Sequence, residues 1–254
     1  MLTELPSSPT VAHSRLRRGT ADASGAPEPG LEEATSEMAN VLLNGRSVIR
    51  VLEAGCGSAS HIGFDAAVHA VGIDISREQL DRNAIIQESI LGDLQTYPLP
   101  KNDFDVVVCW TVLEHLSRPN DALLNMFEAV QPGGLVILGF PNLSSIKGVV
   151  TKFTPHWFHQ LFYRLQNYKS SPFPTYFRMD IMPDRIRRFA EKNGFSVELC
   201  RVVEGRVTRK FRARFRVMNL AFSTLDAVVK ILSFGRSQSL LLDSCAMILR
   251  KQGH

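Results

Sequence analysis

A short apolar run that closes on an acid and two alternate glycines is the most informative pattern in the chain. Val51 and Leu52 lead into Glu53, and Gly55 and Gly57 follow at alternate positions. Apolar runs bounded by turn residues are typical of buried strands. Glycines directly after a strand allow a sharp turn and let the backbone approach a ligand closely. The pattern therefore predicts a strand that ends at a binding turn.

Two further apolar runs end in the same way. Residues 71–73 lead to Asp74, and residues 89–91 are followed by Asp93. An acid about 20 residues after a glycine turn lies where a carboxylate can hold the two hydroxyls of a ribose. Three polar strand ends in succession predict one cleft along the carboxyl edge of a parallel sheet.

Segments with helical spacing separate these runs. Ser76 and Gln79 form a capping-box pattern, and turn residues such as Gly194 mark helix ends. Alternation of strands and helices predicts a doubly wound α/β sheet. The predicted helices span residues 31–44, 76–87, 119–130 and 184–193, and a further strand spans residues 195–200.

With these strand ends in place, the chain resembles the class I S-adenosylmethionine-dependent methyltransferases, of the small-molecule type related to the quinone-biosynthesis enzymes. The resemblance covers roughly residues 31–203. Residues 104–116 are similar to the family's fourth strand and the loop after it, and residues 131–138 to its Pro-Gly-Gly turn and fifth strand. The resemblance implies a Rossmann-like, seven-stranded, mostly parallel sheet whose last strand, residues 240–249, is antiparallel.

The resemblance also implies S-adenosyl-L-methionine as the cofactor. Glu53 would face its methionine end, Asp74 its ribose and Asp93 its adenine amino group. The full set of expected cofactor-binding residues is Glu53, Gly55, Cys56, Gly57, Asp74, Ile75, Asp93, Leu94, Trp110 and Thr111.

The chain departs from the family pattern at two places. Ala59 stands where another glycine is usual, and residues 58–70 are short, so we expect a truncated first crossover helix. These departures keep a catalytically silent cofactor-binding protein as an alternative. A dinucleotide-dependent oxidoreductase is the weaker alternative, because the third glycine of its fingerprint would fall at Ser60.

Methyl transfer needs alignment of the acceptor more than it needs reactive side chains. Imidazole can take up a proton near neutral pH, which makes His115 and His159 the candidate catalytic residues. The resemblance places acceptor recognition in an insertion or lid at residues 143–183. The candidate substrate residues are His156, Tyr163, Tyr176 and Arg178. No carboxylate completes a metal site with the histidines, so no metal is expected. Methylation of oxygen is favoured over nitrogen or carbon, on an aromatic, lipid-linked or sugar-derived small molecule.

Composition adds the domain organisation. With 254 residues and 44% hydrophobic content, the chain is predicted to form a single domain over residues 31–254 after a disordered leader at residues 1–30. The four cysteines are widely spaced, and a net charge of +4 gives no case for a nucleic-acid partner. A cytoplasmic location is expected, because no run reaches the length of a membrane span.

A basic and apolar helical segment at residues 206–238 is the last distinctive feature. Six Lys and Arg residues lie between Arg206 and Arg216, and apolar residues from Phe211 to Leu232 recur at helical steps. Burial of this stripe in the core is the favoured interpretation. Peripheral contact of residues 206–234 with an anionic membrane and a role in an acceptor pocket stay open.

Overall fold

The computed structural model of this chain describes residues 30–143, 145, 178–233 and 239–253. Nearly all of the predicted leader at residues 1–30 lies outside this range. The same holds for most of the predicted insertion, including His156, His159, Tyr163 and Tyr176.

A seven-stranded sheet with the order β3-β2-β1-β4-β5-β7-β6 forms the centre of the fold. Strands β1 to β5 are parallel, and β7 is antiparallel to both β5 and β6. The predicted mostly parallel sheet with an antiparallel last strand is therefore confirmed. The strands are β1 (Val48–Ala54), β2 (Ala67–Asp74), β3 (Glu88–Leu91), β4 (Phe104–Trp110), β5 (Val130–Pro141), β6 (Phe195–Val203) and β7 (Ser244–Lys251).

Helices cover both faces of the sheet. On one face, apolar side chains of α3 and α4 pack against the strands in a core that includes Leu123 and Ile186. On the other face, α1 contributes Ala39 and Leu43 to a second core. The helices are α1 (Leu31–Leu43), α2 (Arg77–Arg82), α3 (Pro119–Ala129), α4 (Pro183–Lys192), α5 (Arg206–Arg214) and α6 (Arg216–Leu232), with short 3₁₀ helices at Leu113–His115 and Met179–Ile181.

The first crossover contains no helix between β1 and β2. The expected truncation is confirmed and is complete, because residues 55–66 run in turns, bends and irregular backbone. Ile62 from this stretch is buried in the second core, together with α1. The loop therefore takes over the covering role of the missing helix and brings its polar residues close to the end of β1.

Three predicted boundaries were wrong. Helix α2 ends at Arg82 instead of residue 87, because Asn83 leaves the helical conformation and its side-chain amide donates to the Gly57 carbonyl at 3.2 Å. Strand β7 begins only at Ser244. The stretch before it turns instead, since the Leu240 amide donates to the Asp226 carboxylate at 2.7 Å.

The third error concerns the predicted continuous helical stripe, which breaks into α5 and α6 at Phe215. Burial of that stripe is also not what the structure shows. Phe215, Leu225 and Leu232 are exposed, and Phe222 and Val229 are only half-buried. Strand β6 runs in the same direction as β5, so its carboxyl end lies at the same edge of the sheet as the predicted cleft. Helices α5 and α6 follow β6 and leave the sheet at that edge.

Candidate functional site

The turn after β1 is built around two glycines with left-handed backbone. Gly55 has φ +71° and Gly57 has φ +50°. A Cβ at Gly55 would lie 2.5 Å from the Val112 side chain, so any larger residue would collide with the loop after β4. The Gly55 amide donates to the Ile73 carbonyl at 2.8 Å. The turn is thus fixed between β2 and the loop after β4.

Asp74 at the end of β2 holds this turn from the other side. Its Oδ2 accepts from the Gly57 amide at 2.9 Å, and its Oδ1 accepts from the Ser76 amide at 2.8 Å. Each carboxylate oxygen can accept a further hydrogen bond. Asp74 therefore positions the glycine turn and retains acceptor capacity for ligand hydroxyls.

Glu53 is a buried acid at the end of β1. It accepts a short hydrogen bond from the Ser60 hydroxyl. Burial raises the pKa of Glu53 to about 7, against the lowering effect of the Ser60 hydrogen bond. An acid whose pKa is perturbed in this way next to a binding turn is typical of a functional site.

Trp110 and Thr111 close β4 beside the same turn. Trp110 is buried against Gly139, where an added Cβ would lie 2.2 Å from the indole. Thr111 has φ +55°, a conformation that is unusual for a β-branched residue. The chain therefore turns abruptly at the end of β4. Strained backbone conformations of this kind are common at binding sites.

His61 stacks on Trp110 and was missed by the sequence prediction. The two ring centroids are 6.2 Å apart, with an interplanar angle of 19°. The His61 Nδ1 lies 3.7 Å from the Glu32 carboxylate on α1. Ser60 and Asn83 were missed as well. Ser60 and His61 lie in the irregular loop after β1, and Asn83 donates a hydrogen bond to that loop. An irregular loop leaves no periodic signal in the sequence.

Asp93 is engaged in a local turn. Its Oδ1 accepts from the Gln95 amide at 2.9 Å, and the Gln95 side chain accepts from the Arg118 amide at 2.7 Å. The loop after β3 is thereby tied to the loop after β4. A contact between Asp93 and adenine stays a prediction.

The remaining predicted cofactor residues differ in accessibility. Ile75 is 72% exposed directly after Asp74, where an apolar side chain can contact a ligand ring. The Cys56 thiol is buried, close to Gly72, and the Leu94 side chain lies in the first core. Burial raises the pKa of Cys56 to about 12, with the charges of Asp74 and Glu53 adding to the effect. These placements make Cys56 and Leu94 supports of the site, and direct contact with a cofactor stays a prediction for both.

The described candidates for acceptor chemistry, His115 and Arg178, lie in or against the loop after β4. His115 is half-buried in the 3₁₀ helix that follows β4. The Arg178 guanidinium donates to the Ser117 carbonyl and to Asp180. Its Nε is buried and has no hydrogen-bond partner among the described residues. His156, His159, Tyr163 and Tyr176 lie outside those residues.

The described residues fit S-adenosylmethionine. A Cβ built on Gly57 meets no atom within 4 Å, so open space lies above the turn. Asp74 lies at the carboxyl end of β2, followed by an exposed apolar residue. In open α/β sheets, nucleotide ligands bind at this edge of the strands.

Comparison with known proteins assigns part of the chain to a family. Residues 52–138 match the family model described as a methyltransferase domain. The chain is 33% identical over 101 residues to the mitochondrial ubiquinone biosynthesis O-methyltransferase of Schizosaccharomyces pombe, covering 35% of this chain and 36% of that protein. It is 32% identical over 112 residues to the demethylmenaquinone methyltransferase of Renibacterium salmoninarum, covering 41% of this chain and 47% of that protein.

The fold is shared with the crystal structure of the [4+2]-cyclase SpnF, with a TM-score of 0.54, 16% identity, and coverage of 88% of this chain and 82% of that one. The matched stretch spans less than half the length of the two curated relatives. Residues 52–138 are therefore a class I S-adenosylmethionine-dependent methyltransferase domain, distantly related to the ubiquinone and menaquinone methyltransferases.

Proposed function

We propose that this protein transfers a methyl group from S-adenosylmethionine to a small-molecule acceptor. One observation carries the proposal: the Asp74 carboxylate accepts a hydrogen bond of 2.9 Å from the Gly57 amide. Open space lies next to Gly57, since a Cβ built there meets no atom within 4 Å. This arrangement fixes a glycine turn and an acid at adjacent strand ends, where a nucleoside can be held.

Each described residue has a defined task in this proposal. Asp74 accepts from the ribose hydroxyls, Ile75 covers one face of the adenine, and ionised Glu53 attracts the methionine ammonium group. S-adenosylmethionine, when bound, supplies a methyl group on a positively charged sulfur. The protein's part is to align the acceptor and to exclude water.

Oxygen is the proposed acceptor atom. A hydroxyl must lose its proton as its oxygen gains the methyl group, and a positioned base makes this easier. His61 can take the proton through Nε2, while Glu32 at 3.7 Å from Nδ1 stabilises the resulting imidazolium. The stacking of His61 on Trp110 places this base beside the end of β4. His115 and His159 remain the competing bases.

The proposed acceptor is a sizeable, partly apolar molecule, of an aromatic, lipid-linked or sugar-derived kind. The sequence of the insertion supports this, because Trp157, Tyr163 and Tyr176 lie among other aromatic residues there. The relationship to a ubiquinone biosynthesis O-methyltransferase points the same way.

Labelled methyl transfer into a cell extract tests the proposal and requires no assumption about which molecule is the acceptor. The full chain is incubated with S-adenosylmethionine carrying a labelled methyl group and with the small-molecule fraction of an extract. We expect label in a small molecule, and none with the Asp74→Ala variant. Tight cofactor binding without label transfer to any fraction would instead favour the catalytically silent cofactor-binding protein that Ala59 suggested.

A further inference from the structure

Helix α6 has its polar side turned towards the protein. Asn219 accepts from the Arg212 side chain of α5 at 2.7 Å, and Ser223 accepts from the same guanidinium at 3.4 Å. Asp226 is 6% exposed and accepts from the Ser239 hydroxyl at 3.0 Å. These residues recur at helical spacing and form a single polar stripe.

The anchoring of this stripe is electrostatic. Burial raises the pKa of Asp226, but hydrogen bonds from Lys230, the Leu240 amide and Ser239 outweigh it and hold that pKa below its ordinary value. Arg212 also forms an ion pair with Glu204 at 2.8 Å. The orientation of α6 is therefore fixed by specific polar contacts.

The outward side of α6 is apolar as a result. Leu220 is 69% exposed, and Ile231 and Leu232 are each 74% exposed. Leu225 and Val228 are exposed beside them. A water-facing helix surface normally carries polar residues. A contiguous exposed apolar surface of this kind marks an interaction site.

Exposed positive charge lies on the neighbouring helix α5. Arg209, Lys210 and Arg214 on α5 are exposed, and none of them forms an ion pair with another described residue. In the sequence, residues 129–179 and 205–225 contain no Asp or Glu. The one carboxylate of the helix pair, Asp226, is buried and paired with Lys230. Neither a second copy of this helix pair nor the segment 146–177 therefore offers free negative charge to complement α5.

We propose that α5 and α6 dock on an anionic lipid bilayer. The exposed apolar side of α6 enters the interface between headgroups and acyl chains, and the cations of α5 contact the lipid headgroups. None of the described helices is long and apolar enough to cross a membrane, so the contact is peripheral. Helices α5 and α6 follow the carboxyl end of β6, so docking turns towards the bilayer the same end of the strands that carries the cofactor turn.

Vesicle cosedimentation of the full chain tests this inference and does not depend on methyl transfer. Phosphatidylcholine vesicles are compared with vesicles that also contain phosphatidylglycerol, over a series of rising salt. Arg209→Gln/Lys210→Gln/Arg214→Gln removes the charges, and Leu220→Gln/Ile231→Gln removes apolar contact. The matched controls are Arg185→Gln/Arg188→Gln/Lys192→Gln on α4 and the exposed Val41→Gln on α1. All changes are at exposed positions, and circular dichroism and thermal melting verify the fold of each variant.

We expect binding only to anionic vesicles, weakening as salt rises. The triple α5 variant should lose at least tenfold in partitioning, since each cation near an anionic surface contributes about fivefold. The α6 variant should weaken binding severalfold, and both controls should leave it unchanged. No binding to anionic vesicles, or equal loss in the controls, would overturn the proposal. Self-association that Leu220→Gln/Ile231→Gln abolishes, without any lipid binding, would assign the surface to a second copy instead.

Discussion

The backbone amide of Gly57 donates to the carboxylate of Asp74 at 2.9 Å, joining the ends of β1 and β2. The left-handed backbone of Gly57 aims its amide at Asp74, and the second carboxylate oxygen is fixed by the Ser76 amide. The site is therefore largely formed in the protein before any ligand binds.

Gly55→Ala tests the fit between this turn and the loop after β4. The new methyl group would lie 2.5 Å from Val112 on a backbone with φ +71°, so both collision and strain are expected. We expect a loss of roughly 1–3 kcal/mol in the free energy of unfolding, measured by urea denaturation. Gly63→Ala is the matched control, because its added Cβ meets nothing within 4 Å. Adding Val112→Ala should restore part of the stability; equal stability of Gly55→Ala and Gly63→Ala would contradict the described packing.

The raised pKa of Glu53 predicts a pH dependence of stability. Its folded pKa of about 7 lies above that of an unfolded glutamate, so the folded state favours the protonated acid. The contribution of Glu53 to stability is full below about pH 4.3 and is lost as the pH rises to about 7. Replacing Glu53 by Gln should flatten the unfolding free energy of the free protein over this range. An identical pH profile in both proteins would show that Glu53 ionises normally.

The same group predicts the pH dependence of cofactor binding. If the ionised carboxylate attracts the methionine ammonium group, affinity for S-adenosylhomocysteine should rise as the pH passes through about 7. Calorimetry should show that Glu53→Gln removes this rise. Ser60→Ala deletes the hydrogen bond that lowers the pKa and should move the rise to higher pH. A rise that survives in Glu53→Gln would assign it to another group.

His61→Ala tests the proposed base. General-base catalysis contributes roughly 10²–10⁴-fold, so turnover should fall by that order while the dissociation constant of the cofactor stays within about twofold. Glu32→Gln should cause a smaller loss, because it removes the negative charge 3.7 Å from His61 Nδ1. His115→Ala serves as the comparison. A large loss in His115→Ala with normal turnover in His61→Ala would move the base to the 3₁₀ helix.

The sequence predicted the ends of the strands better than the loops between them. Glu53, Gly55, Gly57 and Asp74 follow from periodic apolar runs and from glycine geometry, which are local properties. The contact of His61 with Trp110 depends on a loop without periodicity, and no local rule could have placed it.

Helix α6 shows a second limit of prediction from sequence. Apolar residues occur on several of its sides, so periodicity predicted a helix and assigned the wrong orientation. The structure turns the stripe through Asn219 and Asp226 inward, because Arg212, Ser239 and the Leu240 amide provide partners there. Ser239 and Leu240 lie beyond the end of α6, and Arg212 reaches Asn219 only because the chain turns between α5 and α6, so helical periodicity alone could not show these contacts.

Calorimetric titration of Asp74→Ala tests the central claim most directly. The change deletes the acceptors proposed for the ribose hydroxyls, and each charge-assisted hydrogen bond contributes on the order of 1.5–3 kcal/mol. Asp81→Ala, on the exposed side of α2, is the matched control. For each of S-adenosylmethionine and S-adenosylhomocysteine, the control should have the same dissociation constant as the unaltered protein. Asp74→Ala should bind both ligands at least tenfold more weakly. An unchanged dissociation constant in folded Asp74→Ala, or no binding by the unaltered protein, would contradict the assigned cofactor site.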